Sequence, residues 1–212
     1  MSLRAVVFDY GMVLTGLPNA AAHDAMVRIA GVSAEQFERL YWADRHAYDE
    51  GRLSGVTFWQ KFARDANLSL SAADLDELNR QDALMWTTQN PAMVSWQRKL
   101  KAAGVLTAIL SNMGDSVLEN IKREFRWIDD FDVLVWSYQL HMAKPDAAIY
   151  RDCLRQLGCV PDKSLFFDDR RPNVEAARRV GIDAHVFESA GQARAIVEGG
   201  PGQPRADGTS QK

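Results

Sequence analysis

Two acidic clusters stand near opposite ends of this chain, each closing a short apolar run. The first is Ala5-Val6-Val7-Phe8-Asp9-Tyr10-Gly11 and the second is Leu165-Phe166-Phe167-Asp168-Asp169. A short run rich in Val and Phe that ends in Asp reads as a buried parallel strand. In an open parallel sheet, ligands sit just beyond the carboxyl ends of the strands. If both runs belong to one sheet, Asp9, Asp168 and Asp169 converge on one crevice. Like charges at close range repel, so such a cluster calls for a cation. An all-oxygen site suits a hard ion such as magnesium, commonly with a phosphate as a further ligand.

The elements that must position these carboxylates follow from the patterning. A strand over 4–9 leads into a loop through Pro18. Residues 19–88 then show helical patterning, over 20–30, 34–50, 56–67 and 72–86, with Ser33, Ser54 or Gly55, and Ser71 as candidate N-caps. Four helices in a row suggest a small bundle inserted after the first strand. Beyond Pro91 the pattern alternates. Helices are expected over 92–103, 115–125, 146–157 and 173–180, with Pro145 suited to the first turn of the third. Strands are expected over 105–110, 133–136, 164–167 and 184–187. Strands alternating with helices give a parallel sheet with right-handed crossovers. The expected fold class is therefore α/β, a Rossmann-like parallel sheet core with an inserted α-helical bundle. The core is expected to span 2–18 and 88–198, the bundle 19–87, and a polar, Gly- and Pro-rich tail over 199–212 reads as disordered. No internal repeat is visible.

The bulk numbers narrow the function classes. The 212 residues, 47% of them hydrophobic, suffice for one sizeable core plus a small second lobe. A net charge of -3 advertises no surface for nucleic acid or anionic membrane. The two cysteines, Cys153 and Cys159, match no metal spacing and read as reduced thiols. No basic-then-apolar leader opens the chain, and no apolar run approaches the roughly 20 residues needed to cross a bilayer. The expectation is a soluble, cytoplasmic monomer or homodimer whose partner is a small molecule.

Four segments in order resemble the haloacid dehalogenase-like hydrolase superfamily, which consists mostly of phosphatases. They are Asp9 in VVFDYGMVLTG, Ser111 in AILSNMG, Lys144 in MAKPDAAIY, and Asp168 with Asp169 in LFFDDRRPNVEAARRVG. The resemblance implies that Asp9 is the nucleophile, that the helical insert is a cap, and that the substrate is a small phosphorylated metabolite. The chemistry is coherent without the name. A carboxylate can attack phosphorus to form an aspartyl-phosphate, which water then hydrolyses, and a metal would shield Asp9 from the incoming dianion. Candidate ligands are Asp9, the Gly11 carbonyl and Asp169, with Asp168 binding directly or through water. Lys144 would neutralise charge on the phosphoryl group and Ser111 would hydrogen-bond one of its oxygens. Backbone N–H groups at Met12 and Asn112 are further candidate donors. Each residue also has a plainer reading, as a turn residue, a solvated lysine or a helix cap.

One position departs from the resemblance. Most phosphatases of this superfamily carry a second Asp two residues after the nucleophile, as general acid and base. Here that position is Gly11, which has no proton to give. Three readings compete: a phosphatase acting on a leaving group that needs little protonation, with a sugar phosphate favoured by resemblance to members with Gly there; a metal-free 2-haloacid dehalogenase, against which the paired Asp168 and Asp169 speak; and a low-turnover phosphate- or metal-binding protein. A phosphomutase fits less well, since it must pass a proton both ways. The insert holds Trp42, Trp59 and Trp86, with Arg45, His46, Asp49, Glu50 and Arg52 nearby; Arg45 and His46 are candidates to reach a polar substrate and Trp42 to offer a face to a sugar or ring, although aromatics at helical spacing are usually core and charges usually solvated. Gly16, Pro18 and Asn19 lie where a hinge is expected.

Overall fold

The computed structural model describes residues 3–199, so the expected tail lies, apart from Gly199, outside the described residues. Five strands form one parallel sheet: β1 (Ala5–Phe8), β2 (Leu106–Ser111), β3 (Val133–Trp136), β4 (Ser164–Asp168) and β5 (Asp183–Val186), in the order β3-β2-β1-β4-β5. Strand β1 is central and buried along its whole length. Because side chains alternate across a strand, Val6 and Phe8 feed one core with Ile109 and Phe167, while Ala5 and Val7 feed another with Ala108, Leu110 and Phe166. That two-sided burial explains why the run is apolar throughout rather than alternating.

Helices α1 (Ala20–Ala30), α2 (Ala34–Ala43), α3 (Arg45–Asp49), α4 (Gly55–Asp65) and α5 (Ala72–Met85) lie between β1 and β2, and α6 (Pro91–Ala102) follows them. Their starts are set locally. Asn19, Ser33, Ser54 and Ser71 each accept a backbone N–H of the first turn. The helix expected over 34–50 is instead two helices. The backbone leaves helical angles at Asp44 (φ -115°, ψ 6°), and the break lets Arg45 and Tyr48 turn inward and become buried. Here tertiary packing overrides local propensity.

The remaining helices are α7 (Asp115–Glu124), α8 (Ser137–Leu140), α9 (Ala147–Leu157), α10 (Arg171–Arg179) and α11 (Ala190–Glu198). Sequence patterning does not mark α8, a single turn too short for any periodicity, or α11, at the chain's weakly patterned end. Pro145 stands outside the first turn of α9: the cap is Asp146, whose carboxylate accepts the Ala148 N–H at 2.9 Å. Cys153 is buried on α9, and both cysteines are free.

The two segments that leave and re-enter the sheet region run side by side. Gly16 N–H donates to the Thr88 carbonyl (2.7 Å), Asn19 N–H to Met85 (2.9 Å) and Asn90 N–H to Leu14 (2.9 Å). Farther away, α3 and α4 touch the start of α7 (Asp115–Glu124). The Tyr48 hydroxyl accepts the Val117 N–H at 3.4 Å, and Asp115 accepts the Gly55 N–H at 2.9 Å. A side chain at Gly114 would meet the Tyr48 ring, since a Cβ there would lie 2.1 Å from its Cζ. We expect Gly114→Ala to cost about 1–3 kcal/mol, the usual range for overpacking a tight contact. Equilibrium denaturation against the wild-type chain checks this.

Candidate active site

Register brings the two acidic runs together. Phe8 is paired with Phe167 in neighbouring parallel strands, and Asp9 N–H donates to the Phe167 carbonyl at 2.8 Å. The next residue of each chain segment, Asp9 and Asp168, therefore leaves the sheet at the same place. Carboxylate oxygens of Asp9, Asp168 and Asp169 all lie within 4.8 Å of one another. Lys144 is buried among them, its Nζ 2.8 Å from Asp9 Oδ1 and 2.6 Å from Asp168 Oδ2.

The three carboxylates are not equivalent. Asp168 is fully buried and saturated: besides Lys144, it accepts from the Arg170 N–H (2.8 Å) and from Asn173 Nδ2 (2.9 and 3.1 Å). Asp9 Oδ1 accepts from Lys144 and from the Tyr10 N–H (2.7 Å), while its Oδ2 has no hydrogen-bond partner among the described residues. Asp169 is exposed toward the crevice, and no other described residue hydrogen-bonds its carboxylate, which faces only its own backbone N–H. Asn173, which sequence reasoning missed, thus holds the carboxylate that holds the lysine. Its only signal was a place five residues after Asp168.

Two further contacts aim the lysine. Asn112 donates from Nδ2 to the Lys144 carbonyl and accepts the Lys144 N–H, both at 2.8 Å. Asn112 therefore orients Lys144 with its side chain, a role the sequence did not suggest. Ser111 lies at the end of β2 on the wall of the crevice. Met12 is also on the wall, with a left-handed backbone (φ 60°), but its N–H is given to Thr15 Oγ1 at 3.1 Å.

Electrostatics follow from burial. Desolvation pushes the Asp9 carboxyl up to about 8; Lys144 opposes that shift, and the neighbouring Asp168 and Asp169 add to it. Burial alone would lower the Lys144 ammonium, but the charges of Asp168 and Asp9 outweigh it and hold the pKa above the usual lysine range. Burial, then the charge of Asp168, raises Asp169. Three carboxylates against one ammonium leave an excess of negative charge. The donors are hard oxygens, so the residues present fit a divalent ion such as magnesium. Asp9, Asp169 and the carbonyl of Gly11, which lines the same crevice, are the groups able to hold it, with Asp168 acting from behind.

The crevice opens into a cavity of about 740 Å³, within the range of small-molecule sites. Its far wall comes from the helical insert: Trp42, Arg45, His46, Asp49 and Trp86. The Trp86 ring stands over Gly11, 3.6 Å from where a Cβ would be. Of the other insert residues, Trp59 is fully buried core, and Glu50 and Arg52 pair with each other at 2.7 Å away from the cavity lining.

A parallel α/β sheet ending in a carboxylate crevice, with a buried lysine between two of the acids, defines a hydrolase-type site. The chain belongs to the haloacid dehalogenase-like hydrolases, whose family model matches residues 3–181, and it is an enzyme of that family. It is 30% identical over 200 residues to a phosphatase of Mycobacterium tuberculosis, covering 92% of this chain and 91% of that one. It is 29% identical over 194 residues to an (S)-2-haloacid dehalogenase of Burkholderia cepacia, covering 86% and 81%. An enzyme of the same family from Bacteroides thetaiotaomicron, solved with magnesium and inorganic phosphate, shares the fold with a TM-score of 0.73 at 18% identity, covering 88% and 95%. No helix among the described residues is long and apolar enough to cross a membrane.

The raised Asp9 carboxyl makes a signed prediction. Between the unfolded pKa near 3.8 and the folded value of about 8, the native state binds a proton that the unfolded chain releases. Stability of the metal-free protein from this group therefore falls as pH rises through that window. A divalent ion needs the ionised carboxylate, so its stabilisation grows over the same window. Thermal melts in chelator and in excess magnesium, from about pH 5 to about pH 8, should diverge as pH rises.

Proposed function

We propose that this enzyme is a magnesium-dependent phosphatase that hydrolyses a small phosphorylated metabolite, a sugar phosphate being favoured, through an aspartyl-phosphate on Asp9. The observation that carries the reading is the asymmetry of the acids. Among the described residues, Asp9 offers one oxygen held by Lys144 and one oxygen with no partner, and Asp169 stands beside it with a carboxylate that no other residue holds. The phosphatase name of the Mycobacterium tuberculosis relative supports the same class. We assign the segments 2–18 and 88–198 to the catalytic core and 19–87 to a cap that covers the crevice and excludes water.

In this mechanism a free oxygen of Asp9 attacks phosphorus, and the bond from phosphorus to the leaving oxygen breaks with its electron pair going to that oxygen. Lys144 offsets charge on the phosphoryl oxygens, and the Ser111 hydroxyl donates to one of them. Water then attacks phosphorus, the bond to Asp9 breaks, and the water proton passes to phosphate or solvent. Bound magnesium, held by Asp9, Gly11 and Asp169, would supply charge neutralisation between the carboxylates and the dianion. Asp168 keeps Lys144 in place. The phosphoryl pocket gains the Asn112 N–H as a further donor, whereas the Met12 N–H would have to be shared with Thr15.

The leaving group receives no proton from Gly11, and an indole edge stands over that residue. This favours leaving groups of low basicity, such as anomeric or acyl phosphates. The dehalogenase reading draws on the same missing acid, but it gives no use to the Asp169 carboxylate that faces the crevice.

Phosphate release over a metabolite panel, with and without magnesium, and with halide release from 2-haloacids measured in parallel, tests the class. Phosphate without halide is expected. Asp9→Asn should abolish turnover while keeping the fold. Normal turnover in that variant, or halide as the product, would overturn the reading. Gly11→Asp meets only ordinary contact at its Cβ, so it should fold. A working general acid is worth about 10²–10⁴-fold. The variant should therefore gain most on poor leaving groups, read as a shallower dependence of kcat/KM on leaving-group pKa.

A further inference from the structure

The cap wall of the cavity is built around one guanidinium. Arg45 Nε donates to Asp49 Oδ1 at 3.0 Å, and Nη1 donates to both oxygens of Asp82, each at 3.0 Å, and to the Tyr41 hydroxyl. Its Cζ lies over the Tyr41 and Tyr48 rings at 5.0 and 5.2 Å. The side chain is only 8% exposed, and Asp82 behind it is fully buried. After these contacts, Nη2 has no hydrogen-bond partner among the described residues, and it is not among the buried polar atoms left without one. Nη2 is therefore open to solvent, and Arg45 lines the cavity.

Asp49 is its complement. Its Oδ1 is used by Arg45, and its Oδ2 has no partner among the described residues and is likewise not sealed in. Asp49 also lines the cavity. A free donor and a free acceptor on two salt-bridged neighbours match the donor–acceptor character of hydroxyl groups on adjacent carbons. The charge balance points the same way. Two carboxylates, Asp49 and Asp82, face one guanidinium, so the wall carries net negative charge and disfavours a carboxylate or second phosphate there. His46, on the same wall, sits 3.7 Å from Glu50. The other cations of the lining, Lys144 and Arg170, belong to the core side of the crevice.

The pair is fixed relative to the phosphoryl site. The Ser137 hydroxyl donates to the Asp49 carbonyl and accepts the Met113 N–H at 2.8 Å. Met113 follows Ser111 and Asn112 directly, so the wall and the phosphate-facing loop share one hydrogen-bonded support. Trp42, 51% exposed on the cavity rim with its N–H tied to Glu38 at 2.8 Å, presents an oriented flat face beside them.

We propose that Arg45 Nη2 and Asp49 Oδ2 read neighbouring hydroxyl groups on the leaving group, so that the enzyme selects phosphomonoesters of neutral polyols over those whose remainder is anionic. This rests on the phosphatase reading above and adds the residues that set its specificity. The first test uses the wild-type enzyme with magnesium, hexose and pentose monophosphates, their monodeoxy counterparts, carboxylate-bearing counterparts, and acetyl phosphate as a donor without hydroxyls. Loss of one or two hydrogen bonds to charged groups is worth about 10- to 100-fold. At least one monodeoxy form and the carboxylate-bearing forms should fall below the preferred sugar phosphate in kcat/KM by that factor. The second test uses Arg45→Lys and Asp49→Asn, with thermal melts to verify folding. Each should collapse the kcat/KM ratio of the preferred sugar phosphate to acetyl phosphate by a similar factor. Turnover in which all monodeoxy forms stay within about twofold of the parent, or a preference for carboxylate-bearing substrates, overturns the proposal and leaves the phosphatase reading standing. Absence of phosphate release from every donor defeats both.

Discussion

The site depends on one buried ammonium. Lys144 lies within hydrogen-bond distance of two carboxylates that the sheet register places side by side, and among the described residues no other cation forms an ion pair with Asp9. Isolated buried ions carry a desolvation cost of several kcal/mol each, which only good geometry and further hydrogen bonds offset. The fold supplies both. Asn173 and the Arg170 N–H complete Asp168, Tyr10 N–H completes one oxygen of Asp9, and Asn112 clamps the lysine backbone at two points. With Asp168 saturated, Asp9 and Asp169 are the acids that still face the crevice. The negative excess that remains suits a divalent ion.

Gly11 then takes on a physical meaning beyond the absence of a carboxylate. Its backbone is extended (φ -65°, ψ 137°), so glycine is not required by conformation. The Trp86 ring fills the approach to it instead, which makes this side of the crevice apolar. A leaving oxygen there meets neither a proton donor nor a polar wall. The proposed preference for stable leaving groups thus rests on a pair, one residue from the end of β1 and one from the end of the helical insert.

The insert itself is held by polar contacts in an aromatic frame. Phe37, Tyr41, Phe58, Trp59 and Phe62 form a connected cluster of rings. The Arg45–Asp49–Asp82 group is set against this cluster. A buried ion cluster is weak support for stability by itself. Its value here is orientation: Ser137 links the Asp49 backbone to Met113, so the position of the insert's wall and that of the Ser111–Asn112 loop are not independent.

The sequence by itself determined the parallel sheet and the convergence of its acids, because apolar runs ending in Asp and the strand–helix alternation are local, periodic signals. It also marked Ser111, Lys144 and the helical insert, and the caps at Ser33, Ser54 and Ser71 were legible from side-chain type. Other features were decided only by tertiary structure. Nothing in the residues around Asp82 distinguishes it from a solvated helix charge, yet it is fully buried against Arg45. The break at Asp44, the clamp by Asn112, the support from Asn173 and the placing of Trp86 over Gly11 all depend on partners far along the chain. Local patterning reports which face of an element is apolar. Which charged side chains are buried, and against what, is set by the desolvation and pairing that exist only once distant elements have packed.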